Sequence, residues 1–182
     1  ITASAEFTFL LLLNTLRRLD IGKEEVSKRR WRKHEDMLRG RELYGKKVGI
    51  VGLGRIGSHI ANWCNAFSAK VSYYDPYVYN NYKKVDNLKT LFIKSDIICV
   101  CCILSDETVG MVDYSLLEIM KENACLINTS RGEVINELDL VKILNIRQDL
   151  RVGLDVLTGE TEGVHVNSKL LEFHDMGRIV IT

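Results

Sequence analysis

Apolar residues recur along this chain in two rhythms. Short runs of Val, Ile, Leu and Cys, each of strand length, alternate with longer segments whose apolar positions fall three and four residues apart. The runs predict strands over 47–51, 70–74, 96–101, 124–127, 151–155 and 178–182. The spaced patterns predict helices over 55–67, 87–93, 114–121 and 136–145. Ile97-Ile98-Cys99-Val100-Cys101 has no polar alternation, as expected of a strand covered on both faces. Alternating strands and helices predict an α/β fold, a doubly wound parallel sheet with helices on both faces. Ahead of this core, 3–19 reads as a mostly buried helix and 22–46 as a charged stretch. No internal repeat or low-complexity segment is visible.

The first strand runs into Gly52-Leu53-Gly54-Arg55-Ile56-Gly57, and an amphipathic pattern (Ile56, Ile60, Ala61, Trp63, Cys64, Phe67) follows. Each glycine has its own task. A side chain at Gly52 would obstruct the sharp turn; Gly54 lets backbone approach a pyrophosphate; Gly57 lets the helix lie close against the strand. Phosphates would then face unpaired N–H groups at a helix N-terminus, where the helix dipole favours negative charge. Glycine-rich turns are common, so strand, turn and helix in sequence matter more than the glycines alone. An acid, Asp75, closes the next strand 18 residues after Gly57. Its carboxylate can accept ribose hydroxyls and would repel a 2′-phosphate; Pro76-Tyr77 follow, with no arginine beside it, so the cofactor is expected to be NAD rather than NADP. The alternative for Asp75 is a strand-end residue opening a turn at Asp75-Pro76.

With 182 residues and 46% hydrophobic content, the chain can bury one full core. A formal charge of +1 argues against a general nucleic-acid binder. The stretch 22–46 carries Lys28, Arg29, Arg30, Arg32, Lys33, Arg39 and Arg41 around Trp31, but Glu24, Glu25, Glu35, Asp36 and Glu42 interleave with them. A solvated or subunit-contacting segment fits that mixture better than a nucleic-acid patch. Cys64, Cys99, Cys101, Cys102 and Cys125 sit mostly in apolar runs without zinc-site spacing; they read as small buried hydrophobes in a reducing compartment, and no metal is expected. Phe7 to Leu13 is too short to span a bilayer, and Glu6 before it with Arg17-Arg18 after it reverses a secretory signal's charge order. The expectation is a soluble cytoplasmic protein with no membrane partner. The chain begins at Ile1 inside a helical pattern, which reads as a piece of a longer protein.

Two later passages add candidate chemistry. Asn128-Thr129-Ser130-Arg131-Gly132 leaves a strand and leads to a helix with Asn136 as its N-cap, so Arg131 falls on the carboxyl edge of the sheet. A guanidinium there can grip a carboxylate through two hydrogen bonds and polarise a neighbouring carbonyl; a surface salt bridge is the plainer alternative. Gly153-Leu154-Asp155-Val156 is the second passage, with Glu160 in the loop beyond, where a carboxylate can orient a histidine and raise its pKa. Ligands bind such sheets at the carboxyl ends of the strands, so Gly52, Asp75, Cys102, Thr129 and Asp155 should share one edge.

Taken together, Gly40-Arg41-Glu42-Leu43-Tyr44-Gly45-Lys46, the glycine turn with Asp75, the Asn128 to Gly132 run and Gly153 to Val156 with Glu160 resemble the NAD-binding domain of the D-isomer-specific 2-hydroxyacid dehydrogenases. That family includes D-3-phosphoglycerate, glycerate, D-lactate and formate dehydrogenases, and the resemblance covers essentially the whole chain. It implies a Rossmann sheet and hydride transfer between NAD(H) and a small D-2-hydroxy acid/2-oxo acid pair. Arg55 and Ile56 would offer N–H groups to the pyrophosphate, and Asp75 would hold the adenine ribose. Cys102, Thr108, Thr129, Ser130 and Asp155 would line the cofactor's path. Arg131 would bind substrate and polarise its carbonyl, and Glu160 would partner the catalytic histidine. In the family that histidine follows a final strand and a Thr-Pro pair, which would fall just beyond Thr182. His165 and His174 lie upstream in what reads as a loop and do not match. The segment Thr161 to Met176 also lacks the proline usual after the glutamate. The resemblance further implies a homodimer paired through this domain, using 1–46, with 47–182 as the core and a separate substrate domain outside this chain. An NAD-sensing, corepressor-type interaction protein is the alternative function.

Overall fold

The computed structural model describes residues 1–31, 35–160, 163 and 167–182. Seven parallel strands form one sheet: β1 (Lys47–Val51), β2 (Lys70–Tyr74), β3 (Lys83–Lys84), β4 (Ile97–Val100), β5 (Cys125–Asn128), β6 (Arg151–Leu154) and β7 (Val180–Ile181), in the order β3-β2-β1-β4-β5-β6-β7. The order reverses between β1 and β4, leaving a crevice outside their carboxyl ends, where ligands bind such sheets.

Alternation along the strands builds two cores. Ile97, Cys99, Cys125 and Ile127 face one side, packing with Leu11, Leu12 and Leu16 of α1 (Thr2–Arg17) and with Ile60, Ala61 and Cys64 of α4 (Arg55–Ala66). Ile98, Val100, Leu126 and Val152 face the other side, against α5 (Leu88–Lys94), α6 (Tyr114–Glu118), α7 (Glu137–Ile146) and α8 (Leu170–Asp175). Burial on both faces explains why these strands have no polar alternation. Helix starts are set by side chains: Asn87, Asp113 and Asn136 each accept an N–H from the first turn of α5, α6 and α7.

Four expectations need correction. The N-terminal helix breaks at Arg18, which adopts a left-handed conformation (φ 57°), and α2 (Leu19–Ser27) then occupies the start of the charged stretch, with a short α3 (Glu35–Leu38) after it. Within that stretch Glu25 is 5% exposed and ion-paired with Arg30, so it is not simply solvated. β3 was not foreseen, because two lysines on a sheet edge carry no apolar signal. His174 is not in a loop; it belongs to α8, and its Nδ1 accepts the N–H of Ile181 at 3.1 Å. Arg32, Lys33 and His165 lie outside the described residues.

Candidate dinucleotide site at the carboxyl edge

The glycine turn has the close contacts its sequence implied. Gly52 has φ 87°, and a Cβ there would stand 2.7 Å from the Cα of Cys102. A Cβ on Gly57 would drive into the carbonyl of Gly52 and reach 3.3 Å from Cγ2 of Ile50. Gly54, the exposed N-cap of α4, faces open space, with nothing within 4 Å of the equivalent position. Ser58 is the first residue of α4 to bond back, to Gly54 O at 2.9 Å; the N–H groups of Arg55, Ile56 and Gly57 precede any intrahelical acceptor. A twelve-residue helix thus begins with N–H groups that have no intrahelical acceptor, beside the open position at Gly54, which suits a pyrophosphate.

Asp75 is 8% exposed at the end of β2. Its Oδ2 accepts the N–H of Leu53 at 2.8 Å, and its Oδ1 accepts those of Tyr77 (2.9 Å) and Val78 (3.0 Å). The carboxylate therefore ties the glycine turn to the loop after β2 and has room for about one further donor of the four it could take. The strand-end turn and the ribose acceptor are compatible roles.

Two cavities open along this edge. The larger, about 690 Å³, is lined by Gly52, Gly54, Asp75, Tyr77, Cys102 and Thr108 among others. The second, about 370 Å³, is lined by Ser4, Ile56, Cys102, Thr129, Ser130 and Arg131. Cys101, Cys102 and Ile103 line both, so the two form adjoining compartments of one trench. Burial pushes the Cys102 thiol up to about 11, which keeps it neutral. The Thr108 hydroxyl is engaged locally, donating to Ile103 O (2.7 Å) and accepting from the N–H of Ser105 (2.8 Å). In the second compartment Asn128 Oδ1 accepts from both the N–H and the hydroxyl of Ser130, bracing the loop that carries Arg131. Arg131 is exposed, and its Nη1 donates to Ser130 O at 2.6 Å.

Asp155 and Glu160 lie beyond these linings. Asp155 follows β6; its Oδ1 accepts from the Thr182 hydroxyl at 3.2 Å. Burial holds its carboxyl above the usual range, the Thr182 bond opposes this, and the charge of Glu160 adds to it. Glu160 Oε2 accepts the N–H of Leu157 at 3.1 Å. Of the residues the sequence singled out, Gly52, Gly54, Ile56, Asp75, Cys102, Thr108, Thr129, Ser130 and Arg131 line the trench, whereas Arg55, Gly57, Asp155 and Glu160 do not.

Sequence reasoning missed the contribution of α1. Ser4 lines the second compartment, and Thr8, fully buried, stands 2.6 Å from the Thr129 hydroxyl while donating to Ser4 O at 2.7 Å. A polar residue on the buried face of an otherwise apolar helix was the available signal. Tyr77 and Glu107 were also missed. A separate cavity of about 230 Å³, lined by Arg18, Arg41, Arg151 and Arg178, lies at the opposite edge, away from the glycine turn.

Residues 9–182 match the family described as D-isomer specific 2-hydroxyacid dehydrogenase, NAD binding domain. The chain belongs to that family. Its cofactor is NAD. Among relatives of this NAD-binding domain, a glyoxylate reductase of Thermofilum pendens is 37% identical over 183 residues, covering 96% of this chain and 53% of the relative. The D-lactate dehydrogenase of Aquifex aeolicus, solved with NAD and lactic acid, is 28% identical with a TM-score of 0.84, covering 98% of this chain and 58% of that one. An acyclic imino acid reductase solved with NADPH and D-Arg is 30% identical with a TM-score of 0.84, covering 99% and 56%. The chain spans about a third to a half of the length of the curated relatives it matches.

Proposed function

We propose that this chain is the cofactor-binding half of an NAD-dependent oxidoreductase that transfers hydride between NAD(H) and a small D-2-hydroxy acid/2-oxo acid pair. The observation that carries the reading is the exposed Arg131 guanidinium, braced by the Asn128–Ser130 network in the compartment adjoining the glycine turn. When bound, NAD supplies the hydride chemistry. Gly52, Gly54, Arg55, Ile56 and Gly57 hold the pyrophosphate, and Asp75 holds the adenine ribose and favours NAD over NADP. Cys102, Thr108, Thr129, Ser130 and Asp155 line the cofactor's path. Arg131 grips the substrate carboxylate and polarises the C2 carbonyl oxygen, stabilising charge as it develops there. Glu160 orients a histidine that follows β7 and donates the proton to that oxygen; the neighbouring Asp155 carboxyl, itself raised, belongs to the same acid-base edge.

The test is NADH oxidation by the full-length protein against a panel of 2-oxo acids, with Arg131→Ala beside it. Loss of one charge-stabilising donor commonly costs about 10²–10³ in rate, so the variant should lose turnover while still binding NADH. Undiminished turnover in the variant would sink the assignment. Tight NADH binding with no turnover on any acid would favour the sensor instead.

The same proposal extends to assembly and setting. The domains are read as an N-terminal helix and contact segment (1–46), a core (47–182) and a substrate domain outside this chain. Phe9, Leu10 and Leu13 of α1, Trp63 of α4 and Phe67 just after it line an apolar groove of about 380 Å³, which supports a homodimer paired through this face. Sedimentation finding only monomer at high concentration would argue against it. Free Cys64, Cys99, Cys101, Cys102 and Cys125 support a cytoplasmic, reducing setting. No helix among the described residues is long and apolar enough to cross a membrane.

A further inference from the structure

The larger compartment carries three acids, Asp75, Asp106 and Glu107, and no Lys or Arg among its lining residues. Their charges are not equally compensated. Asp75 already receives three backbone N–H groups. Glu107, on the loop after β4, accepts a hydrogen bond from the Oη of Tyr77 at 3.1 Å. Tyr77 is 77% exposed and lies two residues past Asp75, so this bond joins the loops after β2 and β4 at the open rim of the compartment. Lys84 of the adjacent edge strand does not line the compartment; its Nζ bonds Val78 O at 3.0 Å and sits over the Tyr79 ring.

The geometry points to Glu107, positioned by Tyr77, as a second determinant of NAD over NADP. The inference rests on reading this trench as the dinucleotide site with Asp75 at the ribose. NADP differs by a phosphate on the adenosine ribose, and any such phosphate beside Asp75 occupies the compartment whose other wall is Glu107. Asp75 alone is a weakened deterrent, because backbone dipoles already face both its oxygens. Among the described residues, the exposed Glu107 carboxylate is met by the Tyr77 phenol, which fixes where that charge stands. Both carboxylates hold the proton on Tyr77, Glu107 the more strongly, so the two charges converge on one ring. The fold does not itself decide the cofactor, since a structural relative of the same fold was solved with NADPH; the side chains around the ribose must.

The test titrates the purified chain with NADH and NADPH by calorimetry, at low salt and again at high salt. The wild-type chain should prefer NADH. Glu107→Gln should tighten NADPH about five- to tenfold, the effect of one exposed charge on a doubly charged phosphate, and NADH by less than about twofold. The gain should shrink at about 1 M salt, where charges are screened beyond about 3 Å. Tyr77→Phe keeps the charge but frees it, so it should move NADPH affinity the same way by a smaller factor. An equal shift for both nucleotides, or no NADPH gain while NADH still binds, overturns the role of Glu107. No NADH binding by the folded wild-type chain would instead overturn the dinucleotide site, and this inference with it.

Discussion

Alanine at Gly57 and alanine at Gly54 each add one methyl group to the same turn, three residues apart, with opposite expected consequences. At Gly57 the Cβ meets the Gly52 carbonyl oxygen, the Gly52 carbonyl carbon (3.2 Å) and Ile50 Cγ2 (3.3 Å). Two of these three atoms are backbone and cannot rotate away. Overpacking of this kind costs about 1–3 kcal/mol, and the overlap with backbone argues for the upper end. Replacing a helical glycine returns about 0.5–1 kcal/mol, so the net loss should be about 2 kcal/mol. For a chain of this length that is a fall in Tm of about 4–8 °C. At Gly54 a Cβ meets nothing within 4 Å and φ is −70°, so the fold should lose only about 0.5 kcal/mol through a poorer N-cap. Its methyl group, however, would stand where the pyrophosphate must approach, and NADH affinity should fall by tenfold or more, about 1.4 kcal/mol. Thermal unfolding of both variants, paired with NADH titration of Gly54→Ala, separates the two effects. An unchanged Tm in Gly57→Ala, or full NADH affinity in Gly54→Ala, would refute the division of labour.

Three further outcomes are expected. Arg147 clamps Asp149 through Nε (2.8 Å) and Nη2 (2.7 Å), and the N–H of Asn123 adds a third bond, so the Asp149 carboxyl lies well below the usual range. A depressed pKa stabilises the fold above the unfolded value, near 3.9, and that stability fades as pH falls below it. Asp149→Asn should therefore cost about 1–2 kcal/mol at pH 7 and flatten the acid limb of a stability–pH curve; an unaltered limb would contradict the pairing. Burial pushes Cys64, Cys101 and Cys125 up to about 12 and Cys102 up to about 11, so a thiol reagent at pH 7.5 should modify the folded chain slowly. NADH should protect Cys102 selectively, as peptide mapping after alkylation at higher pH would reveal; equal modification with and without NADH would count against its place in the trench. Thr8→Val should weaken NADH binding severalfold with little change in shape, because it leaves the Thr129 hydroxyl without its partner, and Thr8→Ser should restore it; equal affinity in both variants would deny the coupling.

The parts of the fold that the sequence made legible share one cause: burial strong enough to override local detail. The apolar run at Ile97–Val100 is buried throughout, as its lack of polar alternation implied, and Asn136 caps its helix by accepting the N–H of Asp139. The glycine turn was readable because Gly52 and Gly57 each answer a separate steric demand, while Gly54 leaves its position open. What was missed depends on weak or distant terms. β3 is two lysines recruited by the edge of a sheet formed by other residues. The break at Arg18 is a single left-handed residue that is not glycine, and α8 is six residues long, too short for a periodic signal. In the site, Thr8 meets Thr129 and Tyr77 meets Glu107 across separations of 121 and 30 residues, which no local pattern can encode.

The most direct measurement is an amide-resolved NMR titration of the isotopically labelled chain with NADH. Saturable shifts should gather at Gly52 to Gly57, Asp75 to Val78, Cys102 and Thr129 to Arg131. No shifts at millimolar NADH, or shifts confined to the opposite cavity around Arg18, Arg41 and Arg151, would contradict the assignment of the carboxyl-edge trench as the dinucleotide site.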